Sequence, residues 1–202
     1  EAETIGWGAS SRNGGMTLTG LKVPMQTIIK KYGRETAKEL FQCSIDSVNT
    51  VEEIVKEENI NCGFSRTGHL LAANKPKHFD ALKDEVEFMA KEFNHKVHLV
   101  APGELKSEIG TDVYHGALVD DVSAGLNPAQ YVAGLANATE KAGANLCARA
   151  RVNRLRRGEN RFVLETERGA LSAESILVAT SGYTGNVTQK LQKKIIPIGS
   201  FI

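Results

Sequence analysis

Residues 1–16 read EAETIGWGASSRNGGM, a carboxylate followed by a loop rich in glycine and short polar side chains. Glycine lets backbone N–H groups approach a bulky anionic ligand closely and permits positive φ angles, at which a Cβ would clash. Ser10, Ser11 and Asn13 add short donors, and Arg12 adds a planar cation. The stretch therefore suits a dinucleotide, although glycine and serine clusters are also typical of ordinary surface turns.

The place of this stretch in the chain is unusual for a nucleotide site. In a Rossmann-type site a strand, a G-x-G-x-x-G turn and a helix precede the acidic residue that binds the ribose, which lies about 20 residues beyond the glycines. None of these elements precedes Glu1 in this sequence, which ends in the apolar run IIPIGSFI at 195–202. We therefore expect the chain to be an internal fragment of a longer protein.

Composition indicates a globular protein. Of the 202 residues, 41% are hydrophobic and 24% charged, which is enough to bury a core without disulfides or metals. Cys43, Cys62 and Cys147 are odd in number and far apart, which argues against a disulfide framework and a metal site. Because no run of about 18 apolar residues occurs, we expect no membrane span and a cytoplasmic location.

The charge balance does not favour nucleic acid as a partner. The net charge is +1, with 25 basic and 24 acidic residues interspersed. One basic cluster stands out, formed by Arg149, Arg151, Arg154, Arg156 and Arg157. These arginines follow an alternating strand pattern close to a turn, so we predict a solvated strand face rather than a phosphate-binding patch.

Hydrophobic periodicity predicts both helices and strands. The predicted helices span 24–60 with a break at Gly33, 76–93, 102–109, and 128–142, which has proline in its first turn and Gly143 beyond its end. The predicted strands span 61–73 as short pieces around Gly68, 97–100, 113–119, 145–149, 151–155, 161–166 and 170–176. Residues 175–179 are read as continuously apolar, as in a strand buried on both faces of a parallel sheet. His78, His95 and His98 flank charged helix surface, so we expect them to be solvated.

Three segments resemble the family of FAD-dependent amine and D-amino-acid oxidases. Residues 6–15, GWGASSRNGG, are similar to the family's G-x-G-A-S-G-R-N-G-G segment and differ at Ser11, where glycine is usual. Residues 179–183, ATSGY, resemble its A-T-N-G-Y-T segment, and residues 125–131, GLNPAQY, resemble its G-x-L-N-P-x-x-Y helix entry. The order is that of the family, and the branch containing gamma-glutamylputrescine oxidase-like and glycine oxidase-like enzymes is the most similar.

The resemblance implies a fold and a division into domains. The fold class is α/β (α+β mixed): an incomplete, Rossmann-like FAD/NAD(P)-binding domain with an inserted mixed-sheet substrate domain. Residues 1–60 would belong to the FAD-binding domain and 61–125 to the substrate-binding domain. Residues 126–202 would continue the FAD-binding domain and then return toward the substrate domain.

The resemblance also implies an activity. A primary or secondary amine or an amino acid would transfer a hydride to FAD, the imine would hydrolyse, and O2 or another acceptor would take up the electrons. The fragment alone is expected to be inactive and to hold FAD weakly. A non-catalytic flavoprotein or accessory subunit of the same fold is the alternative. An NAD-linked enzyme is a weaker possibility, since it would leave the loop at 6–15 unexplained.

The family's contacts transfer to individual residues of this chain. Glu1 would accept the ribose hydroxyls, and Val152 would hold the adenine through its backbone. The other implied FAD contacts are Ala9 and Ser10 at the pyrophosphate, Arg12, Asn13, Gly14, Gly15 and Met16 beside the isoalloxazine, and Ala179, Thr180 and Ser181 against the dinucleotide. His69, His115 and Tyr183 are candidates for the substrate pocket, although each also fits a structural role. No catalytic residue is assigned.

Overall fold

A computed structural model describes residues 1–199 of the chain. The helices are α1 (Met25–Tyr32), α2 (Arg34–Glu57), α3 (Pro76–Phe93), α4 (Leu105–Ile109), α5 (Pro128–Lys141) and α6 (Gln189–Gln192). The strands are β1 (Met16–Thr17), β2 (His69–Ala72), β3 (His98–Val100), β4 (Ala117–Asp120), β5 (Ala124–Gly125), β6 (Val152–Arg157), β7 (Phe162–Thr166) and β8 (Gly169–Ala173). The chain forms two compact units, Gly14–Gly134, and Glu1–Asn13 with the described part of Leu135–Ile202. The expected FAD and substrate domains remain a prediction.

The unit Gly14–Gly134 is built on the antiparallel sheet β2-β4-β3. All four residues of the central strand β4 are buried. Ala117 and Val119 pack with Leu105 of α4, whereas Leu118 packs with Leu82 of α3. Side chains of a strand alternate between its two faces, so the apolar residues 117–119 of β4 are buried because both faces of the sheet are covered.

Helices α1, α2 and α3 form a second apolar cluster in the same unit. Met25 of α1, Phe41 of α2 and Met89 of α3 are buried together. The predicted break between α1 and α2 is confirmed at Gly33, whose φ is 85°. Gly33 separates the two helices at this positive φ, which glycine adopts without the clash that a Cβ would cause.

The other unit contains the antiparallel meander β6-β7-β8. Leu155, Leu164 and Leu171 are paired across its three strands. The arginines of β6 are exposed, and Arg156 forms an ion pair with Glu165 of β7. The prediction of a solvated basic strand face is therefore confirmed for β6.

Two predicted strands are absent from the structure. Residues 145–149 are irregular, and Arg149 has a φ of 50° that no strand residue adopts. Residues 175–179 are also irregular, and Leu177 is 90% exposed. A continuously apolar segment forms a buried strand only where neighbouring strands pair with it and both of its faces are covered. All strand pairs within residues 1–199 are antiparallel, so the second prediction is wrong for the described chain.

Two other predicted strands are shorter than expected. The strand predicted over 113–119 begins at Ala117, because Gly116 before it has a φ of 107°. In the region 61–73 the structure has β2 and, before it, a single bridge between Ser65 and Gly125. Glycine at positive φ interrupts the extended backbone that a continuous strand needs.

The prediction that His95 is solvated is wrong, whereas His78 and His98 are exposed as expected. Asn94 ends α3 with a φ of 51°, and the N–H of His95 then donates to the carbonyl of Met89. This helix closure turns the chain back toward the core. His95 is 6% exposed, and its Nε2 lies 3.1 Å from Oδ1 of Asp120.

The carboxyl group of Asp120 is also buried, with the residue 7% exposed. Burial by itself raises the pKa of Asp120. The imidazole of His95 nearby, together with hydrogen bonds from Thr19 and the N–H of Val122, outweighs burial and lowers the pKa of Asp120 below its ordinary value. Asp120 is therefore a buried carboxylate held in its charged form.

Three further observations concern the cysteines, the possible metal ligands and the helices of residues 1–199. Cys62 is buried, Cys43 and Cys147 are exposed, and all three are free thiols. Within residues 1–199, no cluster of three or more His, Cys, Asp or Glu side chains is placed to hold a metal ion. Over the same residues, no helix combines the length and the apolar character needed to cross a membrane.

The lowered pKa of Asp120 predicts a specific pH dependence of stability. Its ionised form stabilises the fold above the carboxyl's ordinary pKa, and this contribution is lost as the pH falls through the lower folded-state pKa. Asp120→Asn should lower the free energy of unfolding at pH 7 by about 1–3 kcal/mol and remove that part of the acid dependence. The stability of both proteins should be measured by urea unfolding between about pH 2 and pH 7, a range that includes the titration of carboxyl groups. Parallel pH profiles would contradict it.

Candidate functional site

The loop at residues 6–13 is folded by its own hydrogen bonds. The N–H groups of Ser11 and Arg12 donate to the carbonyls of Gly8 and Ala9, at 3.3 and 3.2 Å. Asn13 Nδ2 donates to the carbonyls of both Ala9 and Ser10, at 3.0 Å each. The side-chain amide of Asn13, a predicted cofactor contact, therefore braces the loop internally.

The side chain of Trp7 connects Arg12 to Tyr183. The Arg12 guanidinium carbon lies 4.5 Å from the centre of the Trp7 ring, and the Tyr183 ring meets Trp7 edge-on at 5.6 Å. Arginine stacks on an aromatic face by charge–quadrupole attraction, and edge-to-face rings are a favourable aromatic pair. Two of the segments that resemble the oxidase family, 6–15 and 179–183, are thus in contact.

The segment that carries Tyr183 is a tight turn organised by a buried hydroxyl. Thr184 is 9% exposed, and its Oγ1 donates to the carbonyl of Ser181 at 2.7 Å and lies 2.7 Å from Oγ1 of Thr180. The residues before Thr184, predicted to pack against the dinucleotide, are exposed: Ala179, Thr180 and Ser181. The turn therefore holds these three residues at the surface of its unit.

The structure brings Glu1 close to the start of β6. The N–H of Ala150 donates to the carbonyl of Glu1 at 2.9 Å, and the N–H of Arg149 donates to that of Glu3 at 2.8 Å. Val152, the predicted adenine contact, is the first residue of β6 and lies two residues beyond Ala150. These backbone hydrogen bonds therefore bring Glu1 close to the segment just before Val152, although the two residues predicted at the adenosine half of the cofactor are far apart in the sequence.

In the unit Gly14–Gly134, the end of the loop is tied to the third motif. Gly15 is buried with a φ of 68°, and its carbonyl accepts a hydrogen bond of 3.0 Å from the N–H of Leu126. A Cβ at Gly15 would lie 1.9 Å from the carbonyl oxygen of Leu126. Met16, which follows in β1, pairs with Gly125 of β5 and is 67% exposed.

The third motif begins α5 as the sequence predicts. Asn127 precedes the helix, and its Oδ1 accepts the N–H of Gln130 at 3.1 Å. This is an N-cap, followed by Pro128 at the first helical position. The N–H of Asn127 donates to the backbone carbonyl of the buried Cys62 at 2.7 Å, so the cap is attached to the chain before β2.

The two histidines predicted as substrate contacts, His69 and His115, lie at different places on the sheet. His69 begins β2 opposite Asp120, whereas the N–H of His115 bonds to Ala73 at the other end of the β2–β4 ladder. Four residues of strand separate the two ends, about 13 Å at the rise of a strand. His115 is exposed and His69 is half-buried. The structure does not bring these two histidines together.

Ser11 occupies its position without backbone strain. Glycine is usual at this position in the family that the loop resembles, and a side chain would be strained there if the backbone had a positive φ. The non-glycine residues with positive φ within the described chain are Asn59, Asn94, Arg149 and Ser181, and Ser11 is not among them. A side chain at Ser11 therefore needs no left-handed conformation.

The sequence-based prediction did not include Trp7 or Asp120. Trp7 is the sole tryptophan of the chain and stands in a loop of otherwise small residues, which is the signal that could have singled it out. Asp120 ends the apolar strand β4, but its partners Thr19 and His95 are distant in sequence. No local pattern indicates such a pairing.

Comparison with known proteins identifies the class. The chain belongs to the DAO family of FAD dependent oxidoreductases, which matches residues 1–202. It is 28% identical to gamma-glutamylputrescine oxidoreductase of Escherichia coli, over 99% of this chain and 47% of that protein. It is 30% identical to a probable oxidoreductase, OrdL, of Rhizobium meliloti, over 100% of this chain and 47% of that protein. The chain thus spans about half the length of these curated relatives.

Solved structures show the same fold. Glycine oxidase from Geobacillus kaustophilus superposes with a TM-score of 0.73 at 21% identity, over 95% of this chain and 50% of that one. L-proline dehydrogenase from P. horikoshii superposes with a TM-score of 0.62 at 20% identity, over 91% and 46%. The family and the α/β fold class expected from the three motifs are confirmed.

The two neighbouring glycines of the loop are expected to differ in their tolerance of a side chain. Gly15→Ala should lower the free energy of unfolding by about 2 kcal/mol or more, because alanine would be strained at positive φ and would collide with Leu126. Gly14→Ala should be close to neutral, since its Cβ would meet only the flexible Met16 side chain at 3.7 Å. Urea unfolding of both variants measures the difference. Equal stability would disprove the close approach at Gly15.

Proposed function

We propose that the protein containing this chain is an FAD-dependent oxidoreductase that oxidises a primary or secondary amine or an amino acid. Family membership supports the cofactor class. The relatives called gamma-glutamylputrescine oxidoreductase and glycine oxidase support the substrate class. The observation that carries the proposal is the contact between the glycine-rich loop and the 179–183 turn through Trp7 and Tyr183.

The geometry of the loop is compatible with FAD. Ala9 and Ser10 are exposed and carry small side chains, so a pyrophosphate can approach the backbone closely. Arg12 is exposed and stacks on the Trp7 ring, and its guanidinium has several donors for an anionic ligand. In this proposal Asn13 braces the loop, and Gly14, Gly15 and Met16 pass beside the isoalloxazine ring.

The adenosine half would be bound in the same unit as the 6–13 loop. Glu1 is exposed, and its carboxylate, which accepts the N–H of Glu3 at 3.2 Å, has further lone pairs for ribose hydroxyls. Val152 would present its backbone to the adenine. The exposed turn of Ala179, Thr180 and Ser181 would pack against the dinucleotide.

The chemistry that FAD supplies when bound is acceptance of a hydride from the carbon next to the substrate nitrogen. The resulting imine then hydrolyses, and O2 is the proposed final acceptor. The part of this chain is to hold and orient the cofactor through the loop. His69, His115 and Tyr183 remain the proposed substrate contacts, although the Tyr183 ring is also engaged by Trp7.

The alternative is a non-catalytic flavoprotein or accessory subunit of the same fold. It would use the same FAD contacts, because cofactor binding and substrate oxidation depend on different residues. The two functions differ in whether electrons from an amine reach the cofactor. An experiment that follows reduction of the flavin by an amine therefore distinguishes them.

The protein expressed from its complete gene should be purified with FAD and titrated anaerobically with a panel of amines and amino acids, including gamma-glutamylputrescine and glycine. We expect at least one compound to bleach the visible flavin absorbance and admission of O2 to restore it. Dithionite serves as the control that the flavin is reducible. A flavin that dithionite bleaches and no amine or amino acid does would favour the non-catalytic alternative.

Arg12→Ala should weaken retention of FAD by about tenfold, the effect of losing one hydrogen bond to a charged group. The measurement is the dissociation constant of FAD for the reconstituted complete protein. Ser11→Gly is the matched control in the same loop, and it should bind FAD like the wild type because Ser11 is unstrained. Normal affinity in the Arg12 variant would remove this residue from the proposed site.

A further inference from the structure

The segment that follows the glycine-rich loop is held by three polar side chains. The hydroxyl of Thr19 donates to Oδ2 of Asp120, and its N–H donates to Oγ of Ser123 at 3.2 Å. The N–H of Gly20 donates to Oγ of Ser44 at 2.7 Å. Both the backbone and the side chain of Thr19 are therefore fixed immediately after β1.

Asp120 is held in turn from several directions. Its Oδ1 accepts the N–H of Val122 at 3.0 Å and lies 3.1 Å from Nε2 of His95, while its Oδ2 also faces the hydroxyl of Ser123 at 3.4 Å. The imidazole of His95 packs edge-on against Phe41, with ring centres 5.0 Å apart. The carboxylate thus has a fixed orientation, set by the sheet and by the helix cluster.

The polar cluster lies next to the short ladder of β1 and β5, which begins at Met16, directly after Gly15. Strand β1 has two residues, which pair with the two residues of β5, and β5 begins directly after Ser123. A two-stranded ladder of this length is not stable by itself. Asp120 and Ser123 accept hydrogen bonds from the side chain and the backbone of Thr19, and these bonds fix the register of β1 against β5.

We propose that Asp120 is a positioning residue for the cofactor, which acts through Thr19 to hold Gly14, Gly15 and Met16 beside FAD. This inference rests on the FAD site proposed above. Asp120 itself does not touch the cofactor. The structural reason for burying a carboxylate here is that it fixes one register of a two-residue strand.

The test compares isosteric and conservative changes at Thr19 in the complete, FAD-loaded protein. Thr19→Val removes the hydroxyl and keeps the shape, whereas Thr19→Ser keeps the hydroxyl. We expect Thr19→Val to release FAD about tenfold faster, as a lost hydrogen bond to a charged group predicts. Its visible circular dichroism, which reports the surroundings of the flavin ring, should change. Thr19→Ser should match the wild type in both measurements.

Loss of stability alone must be separated from loss of positioning. Leu105→Ala is the control, because Leu105 is fully buried against β3 and β4 and touches neither Thr19 nor β1 in the described contacts. It should destabilise the protein at least as much as Thr19→Val while leaving the flavin spectrum unchanged. Equal FAD release and equal spectral change in the two variants would overturn the proposal.

A milder variant keeps the test decisive if Thr19→Val does not fold. Ser123→Ala removes the acceptor of the Thr19 N–H and should shift FAD release and the spectrum in the same direction. A folded Ser123→Ala variant with wild-type values for both would overturn the positioning role. If the wild-type protein bound no FAD, the proposed function would fail and this inference with it. If the wild type bound FAD and Thr19→Val behaved identically, only this inference would fail.

Discussion

The buried carboxylate of Asp120 is the constraint on which the arrangement of the unit Gly14–Gly134 depends. It joins the segment after β1, the turn after β4 and the residue that follows α3, through Thr19, Val122 and His95. A charge with 7% exposure would be unfavourable without such partners. Its partners come from three regions of the sequence, so the carboxylate is satisfied only when these regions adopt their native arrangement. The carboxylate and its partners therefore favour one arrangement of these regions over the others.

A different kind of interaction organises the other unit. Trp7 is an apolar ring in a polar, glycine-rich loop, and it packs between a guanidinium and a phenol. The loop has little side-chain surface of its own, so the aromatic contact supplies packing that glycine and serine cannot. This gives Tyr183 a structural role whether or not it also touches substrate. The two roles are compatible, because Tyr183 remains 57% exposed despite this contact.

Local features of the sequence predicted most of the fold. The helices α1, α2, α3 and α5 were predictable because their periodicity and their end residues, such as Gly33 and Asn127, act within a few positions. The burial of His95 was not, because it depends on a left-handed Asn94 and on a partner 25 residues away, Asp120. The strand predicted at 175–179 failed for a related reason. Apolar residues indicate burial, but the sequence of a segment does not show which other part of the chain would cover it.

The loop and the two other motifs of the candidate site could be predicted from the sequence. The structural requirement for a particular residue type at each position could not. Gly15 and Gly14 appear identical in sequence, yet a Cβ would be excluded at Gly15 by the carbonyl of Leu126 and accommodated at Gly14. Gly8 resembles Gly14, since a Cβ there would make ordinary contact with Tyr183 at 3.5 Å. Local folding therefore explains only one of these three glycines. A requirement for glycine at the other two would have to come from a ligand that approaches the backbone, as the proposed FAD site requires.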